Sequence, residues 1–208
     1  MRWLIALLLT GMAFAAEVSP LESADKSKLP EITKKDVVRF TTDIGNFTVE
    51  VYPQAAPNAA ARFVELVKAG FYDNTPIFRV IPGFVAQFGI NWRGEFPGYQ
   101  QKNFQDDPSW FKLDKGTLAF AKAGPDTNST QVFINYGDNS RLAPKDSGGF
   151  TTFGKVVEGM EVVEKFKSIG DPRMGLDQDK LWKDGESYLK EMYLKPNMIL
   201  KAEVVAPE

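Results

Sequence analysis

The run IFRVIPGFVAQFG, from Ile77 to Gly89, places a guanidinium (Arg79) and an amide (Gln87) in a stretch otherwise suited to a protein interior. A guanidinium stays charged at physiological pH, presents its donors in a rigid plane and offers no acceptor. Held between apolar walls, it could stabilise an electron pair that develops during a reaction without giving up a proton. Gln131, opening a second apolar segment QVFIN, adds another amide of the same kind.

The residue types that are missing narrow the chemistry further. The 208-residue chain has no His and no Cys, so a thiol nucleophile, a Ser-His-Asp triad and a Cys/His zinc site are excluded. Oxygen ligands remain, but Asp126, Asn128 and Thr130 lack the glycine and distal Glu of a calcium loop, and Asp177 with Asp179 stand alone. Both groups read as turn formers, and no metal or cofactor is expected. The formal charge of -2 comes from 25 Lys plus Arg against 27 Asp plus Glu, with no block of one sign. That balance argues against nucleic acid or an acidic membrane surface as a partner.

The elements that must hold these groups follow from hydrophobic period. Arg2, the apolar run Trp3 to Thr10 and Ala13-Phe14-Ala15 read as an export signal over residues 1–15. Its apolar part is too short to span a bilayer. Residues 16–35 are polar, carry two prolines and show no apolar period, so they read as a flexible tether before a single domain over 36–208. VVRFTTDIGNFTVEVY divides into a hairpin around Asp43-Ile44-Gly45-Asn46. Pro57 to Lys68 sets Ala60, Phe63, Val64 and Val67 on one helical face, with Pro57 at the first position and Gly70 past the end. Further strands are expected at Ile77–Ala86, Gly116–Ala121, Gln131–Asn135, Thr151–Val156 and Ile199–Val205, and a second helix at Met160–Ile169. Many short strands with two helices point to a mainly β fold, a closed antiparallel barrel capped at its ends. Other α+β arrangements share this periodicity.

Three segments resemble the cyclophilin-type peptidyl-prolyl cis-trans isomerases, in that family's order. They are AGFYDNTPIFRVIPGFVAQFG (Ala69 to Gly89), GTLAFAKAGPDTNSTQVFIN (Gly116 to Asn135) and FTTFGKVVEGMEVVEKF (Phe150 to Phe166). The resemblance implies a closed eight-stranded antiparallel β-barrel capped by two α-helices, with a shallow groove on one face. Carried over position by position, it implies that Arg79 is the catalytic arginine and that Phe84, Val85, Phe133 and Leu142 line a proline pocket. Gln87 and Gln131 match polar groups beside it, while Ala121 and Lys122 match positions that hold substrate main chain through backbone atoms. Phe78 and Phe150 stand where many members have His, before the arginine and at the pocket rim. Each keeps a flat ring and loses a polar edge, which bears on peptide preference and rate.

The physical chemistry of that reaction suits a chain without His or Cys. An X-Pro bond turns slowly because amide resonance sets a barrier of roughly 18 to 20 kcal/mol. When the bond is twisted, the nitrogen lone pair leaves conjugation, and a proline nitrogen, bearing no hydrogen, becomes an acceptor. A guanidinium aimed there binds the twisted state better than the planar one, which is catalysis without proton transfer or covalent intermediate. Gln87 and Gln131 could orient Arg79 or bind the peptide carbonyl.

The sequence therefore predicts an exported prolyl isomerase, monomeric, acting on proline-containing peptides and on unfolded or newly exported proteins. The bacterial periplasm is the first expectation for its location and secretion the second. A non-catalytic proline-binding or chaperone module using the same groove is the alternative. The stretch 171–195, with scattered aromatics and mixed charge, is read as an insertion that packs as a short helix on the barrel or else offers a partner surface.

Overall fold

A computed structural model describes residues 30–142 and 149–206, so the expected export signal (1–15) and most of the expected tether (16–35) lie outside the described residues. Eight strands form β1 (Asp36–Thr42), β2 (Gly45–Val51), β3 (Thr75–Ile81), β4 (Val85–Phe88), β5 (Thr117–Phe120), β6 (Val132–Asn135), β7 (Thr152–Glu158) and β8 (Met198–Val205). They close into a barrel in the order β1-β2-β7-β5-β6-β4-β3-β8, every pair antiparallel. Closure leaves no strand edge unpaired.

Strand alternation fills the barrel. Val38, Phe40, Phe47, Val49, Val80, Ala86, Leu118 and Ile134 point inward and are buried in one cluster, with the Phe40 and Phe47 rings stacked at 4.7 Å. Helix α1 (Pro57–Lys68) adds Phe63, Leu66 and Val67 to that cluster, and Phe63 meets Phe153 of β7 at 5.0 Å. The residue before α1 is Ala56, which has no side chain to cap it. Asp107, far along the chain, accepts from the Asn58 and Ala59 amides at 3.1 and 2.8 Å and supplies the missing cap. Such a cap contributes about 1 to 2 kcal/mol.

Three expectations need correction. The single strand expected over Ile77–Ala86 is a hairpin, β3 and β4, because Pro82 has no N–H for a ladder and Gly83 turns the chain at φ 72°. The helix expected over Met160–Ile169 is one turn, α2 (Met160–Val163). Val163 at its end and Phe166 beyond it still enter the core. The tether also ends earlier than residue 35, since Ile32 packs against Tyr52, Ala55 and Phe111.

The stretch 171–195 forms two short helices, α3 (Gln178–Asp184) and α4 (Glu186–Glu191). Asp177, read above as a turn former, caps α3 by accepting from the Lys180 amide at 3.0 Å. Leu176, Leu181, Tyr188 and Leu189 bury a second small cluster against Phe78 and Ile90.

Candidate active site

Antiparallel register lines up one row of outward-facing residues across four strands. Arg79 of β3 stands opposite Gln87 of β4, Gln87 opposite Phe133 of β6, and Phe133 opposite Ala119 of β5. Their neighbours Val80, Ala86, Ile134 and Leu118 face the core, as a period of two requires. Val85, two residues from Gln87, shares the outer face. Val85, Leu113, Ala119 and Phe133 form a separate apolar cluster, walled by the half-buried Phe84, Ala121, Leu142 and Phe150. The Phe133 and Phe150 rings meet edge to face at 5.2 Å.

A bulge in β3 aims the arginine. Ile77 pairs with Phe88 and Arg79 with Gln87, so β3 spends one more residue than β4 over this step, and the extra residue is Phe78. A bulge turns neighbouring side chains out of strict alternation. Ile77 and Val80 point into the barrel, Arg79 onto the groove, and Phe78 under α3 and α4.

Arg79 is held from two sides. Its Nε donates to the Arg173 carbonyl at 2.9 Å and its Nη1 to Gln87 Oε1 at 3.1 Å. The guanidinium carbon lies 5.8 Å from the Phe84 ring centre, and Arg141 covers the same ring at 5.2 Å. No bond to Nη2 occurs among the described residues, which leaves donors for a ligand. Burial pushes the Arg79 guanidinium below the ordinary arginine value, yet a guanidinium stays charged at neutral pH. The hydrogen bonds continue from Gln87 Nε2 to Gln131 Oε1 at 2.8 Å and from Gln131 Nε2 to Gln178 Oε1 at 3.1 Å.

On the far side of the groove, the Ala121 amide is spent on the Gln131 carbonyl at 2.8 Å. Lys122 is half-buried overall, but its side chain is only 1% exposed and donates to Asp106 Oδ2 at 2.6 Å. The exposed part of Lys122 is therefore its backbone. Burial would raise the Asp106 carboxyl, but bonds from Lys122, Asn128 and the Asp126 amide hold it below the usual carboxylate range.

Of the residues expected at the site, Phe84, Val85, Ala121, Phe133, Leu142 and Phe150 gather in one apolar cluster, and Arg79, Gln87 and Gln131 in one polar chain. Phe78 is the correction. It is the bulge residue, 1% exposed, and its carbonyl accepts from the Leu176 amide at 2.8 Å, so its ring never reaches the groove. Three participants were missed. Leu113 sits in the irregular stretch WFKLDKG, where no apolar period marks it. The Arg173 carbonyl and the Gln178 side chain come from residues 94 and 47 positions away from their partners, beyond any local signal. A cavity of about 800 Å³ between Trp92, Leu189, Tyr193 and Met198 includes none of the groove residues.

The row supplies donors and apolar surface and contains no nucleophile. Fold and site thus define a closed barrel that carries an apolar cluster beside an immobilised, always-charged donor. The family model for cyclophilin type peptidyl-prolyl cis-trans isomerases matches residues 37–185. The chain belongs to the cyclophilin-type peptidyl-prolyl cis-trans isomerase family. It is 35% identical over 148 residues to a peptidyl-prolyl cis-trans isomerase of Acinetobacter baylyi, covering 69% of this chain and 78% of that one. Over 153 residues it is 34% identical to peptidyl-prolyl cis-trans isomerase B of Escherichia coli, covering 69% and 91%. A crystal structure of a Cryptosporidium parvum cyclophilin superposes with a TM-score of 0.61 at 23% identity, covering 84% of this chain and all of that one, which shows the shared fold. Another structure of that protein was determined in the presence of the dipeptide Ala-Pro, with a TM-score of 0.60 and 24% identity, covering 82% of this chain and 99% of that one.

The position of Phe78 separates packing from substrate contact. Phe78→Ala should cost about 3 to 5 kcal/mol of stability through the cavity it leaves. Peptide KM in the folded variant should stay within about twofold of wild type, since no substrate contact is removed. A raised KM with an unchanged unfolding midpoint would return Phe78 to the groove.

Proposed function

We propose that this protein accelerates X-Pro isomerisation by donating from Arg79 to the proline nitrogen as the bond twists. The observation that carries the reading is the placement of one charged, doubly anchored arginine at the end of the row that leads through Gln87 to the apolar cluster of Val85, Leu113, Ala119 and Phe133. The proline ring seats against Phe133, Val85 and Leu142, which the fully buried Leu113 backs from beneath, with Phe84 and Phe150 as side walls. The dry walls keep water from competing for the guanidinium. Gln87 holds Arg79 through its oxygen and spends one of the hydrogens on its nitrogen on Gln131, so the second hydrogen is free for the peptide carbonyl. Substrate main chain runs along Ala121 and Lys122, and Lys122 offers only backbone there because Asp106 holds its ammonium.

In this mechanism the planar amide gains little from the arginine, since its lone pair is committed to resonance. The twisted amide gains a full charge-assisted hydrogen bond, so the interaction falls on the transition state. Clients are unfolded or newly exported chains outside the cytoplasm, a reading supported by the export signal in residues 1–15. Expression of the full chain in a bacterium should give a shortened protein in the periplasmic fraction, and uncleaved protein retained in the cytoplasm would overturn that location.

Arg79→Ala should lower kcat/KM for an Ala-Pro peptide by about 10²-fold to 10³-fold, the loss typical of removing one preorganised donor. NMR exchange between the cis and trans peptide reads this directly. Equal rates for both proteins would sink the role of Arg79, and no acceleration by wild type would favour the non-catalytic binding module. No group in the mechanism changes charge near neutrality, so kcat/KM should be flat from about pH 6 to about pH 9. A bell-shaped profile in that window would require a proton-transferring group that the mechanism lacks.

A further inference from the structure

We propose that Gln178 is a positioning residue for Arg79, acting through Gln131 and Gln87, which makes the stretch 171–195 a working part of the isomerase. This rests on the reading of Arg79 as the catalytic donor. Arginine only donates, so the Gln87 group that meets it must be the oxygen. Gln87 then turns its nitrogen to Gln131, and Gln131 must present its own oxygen. Gln131 is left with a nitrogen facing outward, which needs an acceptor, and Gln178 Oε1 supplies it at 3.1 Å.

The chain of amides therefore has one polarity from end to end, set by Arg79 and closed by Gln178. A terminal acceptor holds that polarity. A terminal donor would reverse it, turning the Gln131 oxygen outward and, through Gln87, setting a nitrogen against the guanidinium. The same stretch grips Arg79 a second time through the Arg173 carbonyl. Gly175, at φ 73°, is needed for that grip, since a Cβ there would lie 2.6 Å from the Arg79 Cα. Gln178 is itself fixed, because it is the first residue of α3, Asp177 caps that helix, and Leu176 and Leu181 anchor it beside Phe78.

The test uses Gln178→Met, Gln178→Glu, Gln178→Lys and Arg79→Ala in the full chain, with cis-trans exchange on an Ala-Pro peptide and an unfolding midpoint for each. Met matches Gln in length and lacks the acceptor, so kcat/KM should fall about fivefold, mostly in kcat, the scale of one hydrogen bond. Glu can only accept when ionised, so it should stay within about twofold of wild type. Lys can only donate and should fall at least as far as Met. The Arg79 Nε–H resonance should shift with Met and Lys and hold its position with Glu, a signature that bulk packing does not produce. Wild-type rates in the Met and Lys variants, with Arg79→Ala inactive, would overturn the role of Gln178 while leaving Arg79 in place. Equal losses with Glu and Met would reduce Gln178 to a structural contact and also overturn it. A fully active Arg79→Ala would instead remove the reading on which both depend.

Discussion

The guanidinium of Arg79 has donors on every nitrogen and no acceptor, so each group that fixes it must offer an oxygen, and at least one donor must be left unspent for a ligand. Most of the site follows from that constraint. The Arg173 carbonyl takes Nε, the Gln87 oxygen takes Nη1, and Nη2 has no partner among the described residues. A lysine in the same place would lose the planar fork that lets two anchors and a ligand be served from fixed directions. The aromatic face of Phe84 completes the seat without adding a competing acceptor of comparable strength.

The barrel delivers this arrangement through register. Four strands contribute one residue each to the row of Arg79, Gln87, Phe133 and Ala119, and the inward neighbours of that row bind the strands to one core. Among the pairings that join these four strands, the irregular step is the bulge at Phe78, which frees Arg79 from strict alternation and sends a large ring sideways to anchor α3 and α4. A local defect in β3 thereby serves two ends, pointing the donor and holding down the segment that steadies it.

Much of this was legible in the sequence. The hairpin of β1 and β2 and helix α1 were readable because local period and turn residues decide them, as Pro57 and Gly70 show for α1. The groove residues were readable from the resemblance, because the family motif spans the strands that carry them. The bulge was not, since alternation alone cannot show where a partner strand spends fewer residues, and the expectation for Phe78 rested on its family position alone. Gln178 and Leu113 were hidden for a different reason. Gln178 meets Gln131 across 47 positions, and nothing in LDQDK or WFKLDKG distinguishes a residue that reaches the site from one that faces solvent.

Closure of the barrel has a mechanical consequence for the reaction. β1 pairs with β8 as well as β2, so the strands form a ring in which none can slide without breaking register on both sides. The row that crosses β3, β4, β6 and β5 is a rigid jig. In the proposed mechanism the donor and the proline seat keep their places while the bond turns, so the torsion that changes in the complex is the one inside the bound peptide.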